Sequence, residues 1–189
     1  LTLGGAIFAD GAGALQAGSG AGGSVYIQAT AIAGGGGIHA RGGESDRSGL
    51  PDDERAGGGG GGRVSIIVGS STHSGAIETR GGFGRCLGLD GYGGPGTFYL
   101  QVGTNAPYLR FYNGTRSGHT LQPALNMPDT DLDIGSSLIV FDCDAQPLSV
   151  KSLTLRDNTT ITHTHESLAG LHVVTSGDVV VQGWSDINA

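Results

Sequence analysis

Residues 57–67 read GGGGGGRVSII, six consecutive glycines running directly into the best strand-forming segment of the chain. Glycine loses more conformational freedom on folding than any other residue, so the run is unfavourable unless something in the fold requires it. A phosphate cradle, a flexible linker and a device for packing backbone against backbone are the three readings. A phosphate loop places Lys-Ser/Thr after its glycines and leads into a helix, whereas Arg63-Val64-Ser65 opens a strand. The run also recurs. GGSVYIQ (22–28), GGRVSII (61–67) and GPGTFYLQ (94–101) align at spacings of 39 and 34 residues.

In that alignment Val25, Val64 and Phe98 form one column and Ile27, Ile66 and Leu100 a second, with Tyr26, Ser65 and Tyr99 between them. This is the period-2 alternation of a strand with one buried face. A second strand repeats too: GAIFADG (5–11), GGIHARG (36–42) and GAIETRG (75–81) align on Ile7, Ile38 and Ile77. Phe8, His39 and Glu78 then point the other way. Each unit therefore holds two short strands and a glycine-rich excursion, the longest being residues 43–61. Units of this kind stack into a β-solenoid, each burying its inward row against its neighbours. An antiparallel sandwich, the alternative, does not predict two columns recurring in parallel order.

Glycine is concentrated at one end. Residues 1–103 hold 32 of the 38 glycines, and residues 104–189 hold 6. The first region reads as glycine-rich coils. The second, with SSLIVFD (136–142), LSVKSLTLRD (148–157) and TTITHTHE (159–166), reads as tighter rungs continuing the same stack. The closing GWSDINA places Ile187 where GGAIFADG has Ile7, so a further coil is expected beyond the chain, as in a fragment of a longer protein.

GAGGSVYIQATAIAGGGGIHARGG, GGGGGGRVSIIVG and the closing 30 residues resemble the glycine-rich β-helix repeats of very large extracellular proteins of bacteria and protists. The resemblance covers most of the chain, more firmly in 4–103 and 148–189. It implies an all-β fold, a right-handed parallel β-helix with glycine-rich excursions, and a surface, matrix or appendage setting. It carries no catalytic residue across.

Composition bounds the function. A net charge of −7 with 14% charged residues lacks the basic clusters that nucleic acid requires. No apolar run approaches the roughly 18 residues of a membrane span, and LTLGGAIFADG has no signal-peptide pattern. Sequons at Asn113 and Asn158 fit a secreted glycoprotein. A Cys86–Cys143 disulfide would tie the two regions together if geometry allows.

Three clusters could carry chemistry. His163 and His165 lie two apart on one strand face and could offer imidazoles to Zn²⁺ or Cu²⁺, though no third ligand is identifiable. Asp129, Asp131 and Asp133 alternate as at the start of a Ca²⁺ loop, but Ile134 and Val140 stand where the loop glycine and glutamate belong. The loop ESDRSGLPDDER (44–55) combines Glu44, Asp46, Asp52, Asp53 and Glu54 with Arg47 and Arg55. Paired carboxylates serve glycosidases and lyases, but these sit on a glycine-flanked excursion rather than a rigid element.

The reading reached from sequence is a non-enzymatic structural module with no catalytic residue and no resident cofactor, one β-helical segment of an extracellular or cell-surface rod. Its expected partners are further copies or coils of its own kind, and glycans. The alternative is a β-helix that binds or cleaves polysaccharide. An ice-binding face ranks last, because the outward columns are chemically mixed.

Overall fold

The computed structural model describes residues 1–15, 17–46, 56–86, 89–114, 118–164 and 170–188; for Asp46, Arg85, Cys86, Leu89 and Asp90 it describes the backbone alone. No helix occurs among them. Strands are numbered in chain order. One long sheet runs through the chain: β3 (Ser24–Gly34), β6 (Arg63–His73), β10 (Thr97–Val102), β11 (Tyr108–Tyr112), β13 (Asn126–Gly135) and β15 (Leu148–Arg156), closed by β17 (Val173–Thr175) and β18 (Val179–Val181), which both pair with β15. A second sheet holds β1 (Ile7–Phe8), β4 (Ile38–His39) and β7 (Ile77–Glu78), and a third holds β12 (Gly118–Pro123), β14 (Ser137–Asp142), β16 (Thr160–His163) and β19 (Asp186–Ile187). Two short pairs complete the set, β2 (Ala14–Leu15) with β5 (Ser45–Asp46) and β8 (Arg85–Cys86) with β9 (Leu89–Asp90).

The columns read from the repeat are those of the structure. Val25, Val64 and Phe98 are neighbours across β3, β6 and β10, as are Ile27, Ile66 and Leu100, all in parallel register. Ile7, Ile38 and Ile77 align in the same way.

The glycine segments pack as arms at one end of these strands. Their hydrogen bonds zigzag between outgoing and returning arms: Gly93 N donates to Gly82 O (3.0 Å), Gly82 N to Gly59 O (2.7 Å), Gly59 N to Gly43 O (3.0 Å) and Gly43 N to Gly20 O (2.9 Å). A Cβ added at Gly58, Gly59, Gly61 or Gly62 would lie within 3.0 Å of a neighbouring backbone atom, while Gly57 and Gly60 face open space. Every third residue thus faces outward, the periodicity of a polyproline-II-like chain. Four of the six glycines are required by close approach, and two are not.

Past β10 the chain departs from the expectation that residues 104–189 simply extend the first stack. The tight connection at Gly103–Pro107, where Asn105 N donates to Val102 O (3.1 Å), turns β11 antiparallel to β10. Later strands of the long sheet run parallel to β11. Opposed residues of an antiparallel pair share a side of the sheet, and the register sets Phe98 opposite Arg110 and Tyr99 opposite Leu109. Phe98 is buried in the first apolar cluster, with Val64, Ile66 and Ile38. Leu109 is buried in the second, with Leu132, Ile134, Leu153, Leu155 and Ile161, and Tyr99 packs against that one. The core therefore crosses from one face of the sheet to the other at the hairpin.

The second region turns its corners with left-handed residues: Gly114 (φ 70°), Ser136 (φ 52°), Asp157 (φ 58°) with Asn158 (φ 62°), and Gly183 (φ 66°). Asn and Asp tolerate this conformation better than other side chains do, because their short polar groups bond locally. Thr159, buried just beyond one corner, donates its hydroxyl proton chiefly to the Arg156 carbonyl (2.6 Å), with the Ile134 carbonyl of β13 also within reach (3.2 Å).

Candidate functional site

The change of face leaves a cleft. β7 is the last strand of its sheet, because the chain after β10 makes the hairpin instead of a fourth parallel strand. Beside β7 lies a cavity of about 460 Å³, lined by residues 75–80, Phe98, Arg110 and Tyr112. β4 donates to the carbonyls of Ala76 and Glu78 (Ile38 N, 2.9 Å; Ala40 N, 2.8 Å), so the backbone groups of Ile77 and Thr79 face the opposite edge. There Arg110 Nη2 donates to Ile77 O (2.9 Å) and Gly96 N to Thr79 O (2.7 Å). The Arg110 side chain occupies part of the slot a strand would fill.

Arg110 is held by aromatic rings, its guanidinium 5.2 Å from the centre of Phe98 and 5.7 Å from that of Tyr112. Arg41, Arg80 and Arg156 each pair with a carboxylate, but no carboxylate among the described residues pairs with Arg110. Its Nε is buried with no hydrogen-bond partner. Partly buried cations are normally paired, so Arg110 stands out.

Farther down the same face, Arg156 donates to both carboxylate oxygens of Asp133 (2.8 and 2.9 Å), a bidentate geometry, and stacks on Tyr112 at 4.9 Å. Asp133 also accepts from the Tyr108 hydroxyl at 2.5 Å. Burial, reinforced by that bond to an anion, pushes the Tyr108 phenol up to about 12. The bond to Asp133 likewise holds Arg156 firmly protonated.

These partners explain what becomes of the aspartate triplet. Asp131 accepts from Ser152 (2.6 Å) and Lys151 (3.2 Å), and the Ser152 bond above all holds its carboxyl below the usual range. Asp129 falls where the register of β13 breaks between Met127 and Asp131, beside Pro128, which has no N–H for the ladder. Asp131 and Asp133 thus face the protein's own cations, and Asp129 lies off their register. Among the described residues no three His, Cys, Asp or Glu come together.

Other sequence candidates separate. His163 ends β16 and its Nδ1 bonds its neighbour Thr164 O (2.8 Å); His165 lies outside the described residues. A cavity of about 550 Å³ joins His163 to His119 across Leu138, Val140 and Thr162. Of the acidic loop, residues 47–55 lie outside the described residues, and Glu44 pairs with Arg80 (3.2 Å) at the rim of a polar cleft of about 310 Å³. There the Arg41 guanidinium donates twice to Asp10 Oδ2 and the Arg41 backbone N donates to Oδ1, and the side-chain bonds above all lower the Asp10 pKa. Phe8 stacks on His39 at 5.0 Å, and His39 bonds Glu78 at 3.2 Å, so that outward column is a working contact ladder.

Two sequence expectations need correction. Asn113 is fully buried, its Oδ1 accepting from Gly81 N (2.7 Å) and its Nδ2 donating to Gly93 O (3.0 Å). A glycan on Nδ2 is incompatible with that position. Asn158, by contrast, is exposed at a corner. Cys143 is a buried free thiol in the second cluster, so it forms no bridge to Cys86, whose side chain lies outside the described residues.

Arg110 and Tyr112 were not among the residues singled out from sequence, and Phe98 entered only as a member of the buried Val25–Val64–Phe98 column. The signal available was GTNAPYLRFY (103–112), turn residues followed by alternating polar and apolar positions, which marks a hairpin. Comparison with protein-family models, with characterised proteins and with solved structures finds no match.

Proposed function

We propose that this chain is a non-enzymatic structural module, a right-handed parallel β-helical segment of a long extracellular protein, working as a stiff building block of a rod, filament, appendage or matrix. The observation that carries this reading is the single hydrogen-bonded sheet from β3 to β18, which spans nearly the whole chain. Its last coil lies in register on buried residues, yet its own core row is open: Val179 and Val181, beneath Leu153 and Leu155, are 48% and 46% exposed, and Ile187, beneath Ile161, is 43% exposed. Open strand edges with an uncovered apolar row invite axial continuation. A continuous ladder resists bending, because flexing it strains every strand pair at once. An N-glycan at Asn158 and a surface or matrix location belong to the same reading.

Electron microscopy of native material tests it. The module is expected to recur along a fibre or surface layer. A compact soluble particle, or cleavage of an offered acidic polysaccharide, would overturn it.

A further inference from the structure

We propose that the cleft beside β7 binds the acidic groups of a polysaccharide, carboxylate or sulfate, with Arg110 as the anchoring cation. The site stands independently of the rod reading, since it depends on the hairpin rather than on either end of the stack. Three observations converge on it. Arg110 is a partly buried cation with no carboxylate against it among the described residues, whereas Arg41, Arg80 and Arg156 are each paired and Arg63, also unpaired, is exposed to solvent. Its guanidinium is positioned by Phe98 and Tyr112 and by the bond to Ile77 O, so little side-chain freedom remains to be lost on binding. The cleft of about 460 Å³ then gives the guanidinium space for a ligand.

The remaining groups of the cleft favour a glycan over a peptide. An added peptide strand needs both acceptors and donors from a sheet edge. The two outward carbonyls of this edge, Ile77 O and Thr79 O, are already taken. What is left is rich in donors: Arg110 and the N–H groups of Ile77 and Thr79, which find no partner among the described residues, while the Glu78 carboxylate that also lines the cleft is held by His39 and Arg41. A chain dense in ring, hydroxyl and carboxylate or sulfate oxygens matches such a surface, whereas a peptide's own N–H groups would go unpaired. With a net charge of −7, the protein repels anions at long range, so binding rests on these short-range contacts.

The test is calorimetric titration of the whole chain with polygalacturonate, dextran sulfate, neutral dextran and polyglutamate. One or both acidic polysaccharides are expected to bind, and which of them binds separates carboxylate from sulfate recognition. Neutral dextran is expected not to bind. In Arg110→Gln that retains the wild-type circular dichroism, affinity should fall about tenfold or more, the loss of a charge-assisted hydrogen bond. Should that variant fail to fold, phenylglyoxal modification of the wild type decides: bound polysaccharide should protect Arg110 but not the exposed Arg63. The proposal is overturned if neither acidic polysaccharide binds, if dextran binds equally well, if folded Arg110→Gln binds unchanged, or if Arg110 is not protected. Polyglutamate binding as tight as polygalacturonate would overturn the assignment to polysaccharide.

Discussion

Gly59 and Gly60 are chemically identical neighbours in one run, and the structure assigns them opposite responses to the same added methyl group. At Gly59 a Cβ would lie within 3.0 Å of the Gly20 carbonyl, which accepts from Gly43 N. Relief means moving an arm that Gly59 itself helps to bond, through Gly59 N to Gly43 O and Gly82 N to Gly59 O. Overpacking of this kind costs ~1–3 kcal/mol, and each weakened hydrogen bond about 1 kcal/mol more. Gly59→Ala is therefore expected to lose ~3 kcal/mol, which in a domain of 150–250 residues lowers Tm by about 6–12 °C. At Gly60 a Cβ meets nothing within 4 Å. Gly60→Ala restricts the unfolded chain without a folded-state clash and should gain ~0.4–1 kcal/mol, raising Tm by about 1–4 °C. Both substitutions change the unfolded state in the same way, so the difference between them isolates the close approach. Thermal melts followed by far-UV circular dichroism measure it. Equal shifts in the two variants would refute the packed-arm account and return the run to a flexible linker.

Other perturbations probe the remaining features. Asn113→Ala strands the buried Gly81 N–H and Gly93 carbonyl and should cost ~2–4 kcal/mol, read from denaturant unfolding. Expression in a glycosylating host, followed by peptide mass spectrometry, should show any N-glycan at Asn158 and none at Asn113 in folded material. Tyr108, whose ordinary value is 10.0, should ionise near 12, seen as the difference in 295 nm titration between wild type and Tyr108→Phe. Its pKa is raised on folding, so its stabilising contribution is complete below pH 10 and disappears as pH rises through about 12. Asp133→Asn should lower that midpoint only in part, because burial is the larger cause. Ser136→Gly should relieve a left-handed corner, raising Tm by a few degrees if ~1 kcal/mol is recovered.

Much of the first region was legible because its repeat is redundant. Three copies of Val/Phe-x-Ile/Leu and three of Gly-x-Ile fix both register and facing, and glycine density marks where backbones touch. Which glycines touch was not legible, since Gly59 and Gly60 differ only by a third of a turn. The second region showed its strands but not its orientation. A hairpin at Gly103–Pro107 reads locally as an ordinary turn, while its effect, sending Leu109 and Phe98 to opposite sides of one sheet, depends on pairing between distant elements. The Asp129–Asp131–Asp133 alternation resembled the start of a Ca²⁺ loop, but the register of β13 shifts between Met127 and Asp131, and Arg156, Lys151 and Tyr108 arrive from other strands. The Asn113 sequon failed for the same reason: its burial comes from Gly81 and Gly93, which no local pattern reveals.

The transfer of the core at β10–β11 also bears on chirality. Along the long sheet the chain advances strand by strand in one direction from β3 to β18. Reversing strand direction alone would invert the hand of every later crossover, and so would moving the core to the other face alone. Done together, the two inversions cancel, and the loops carrying β4 and β12 wind in the same sense. Parallel crossovers are right-handed in about 98% of cases, so a hairpin set into such a stack obliges the chain to carry its interior across the sheet. The cleft beside β7 is then a topological by-product, the place where one apolar cluster stops because the next must begin on the reverse side of the sheet.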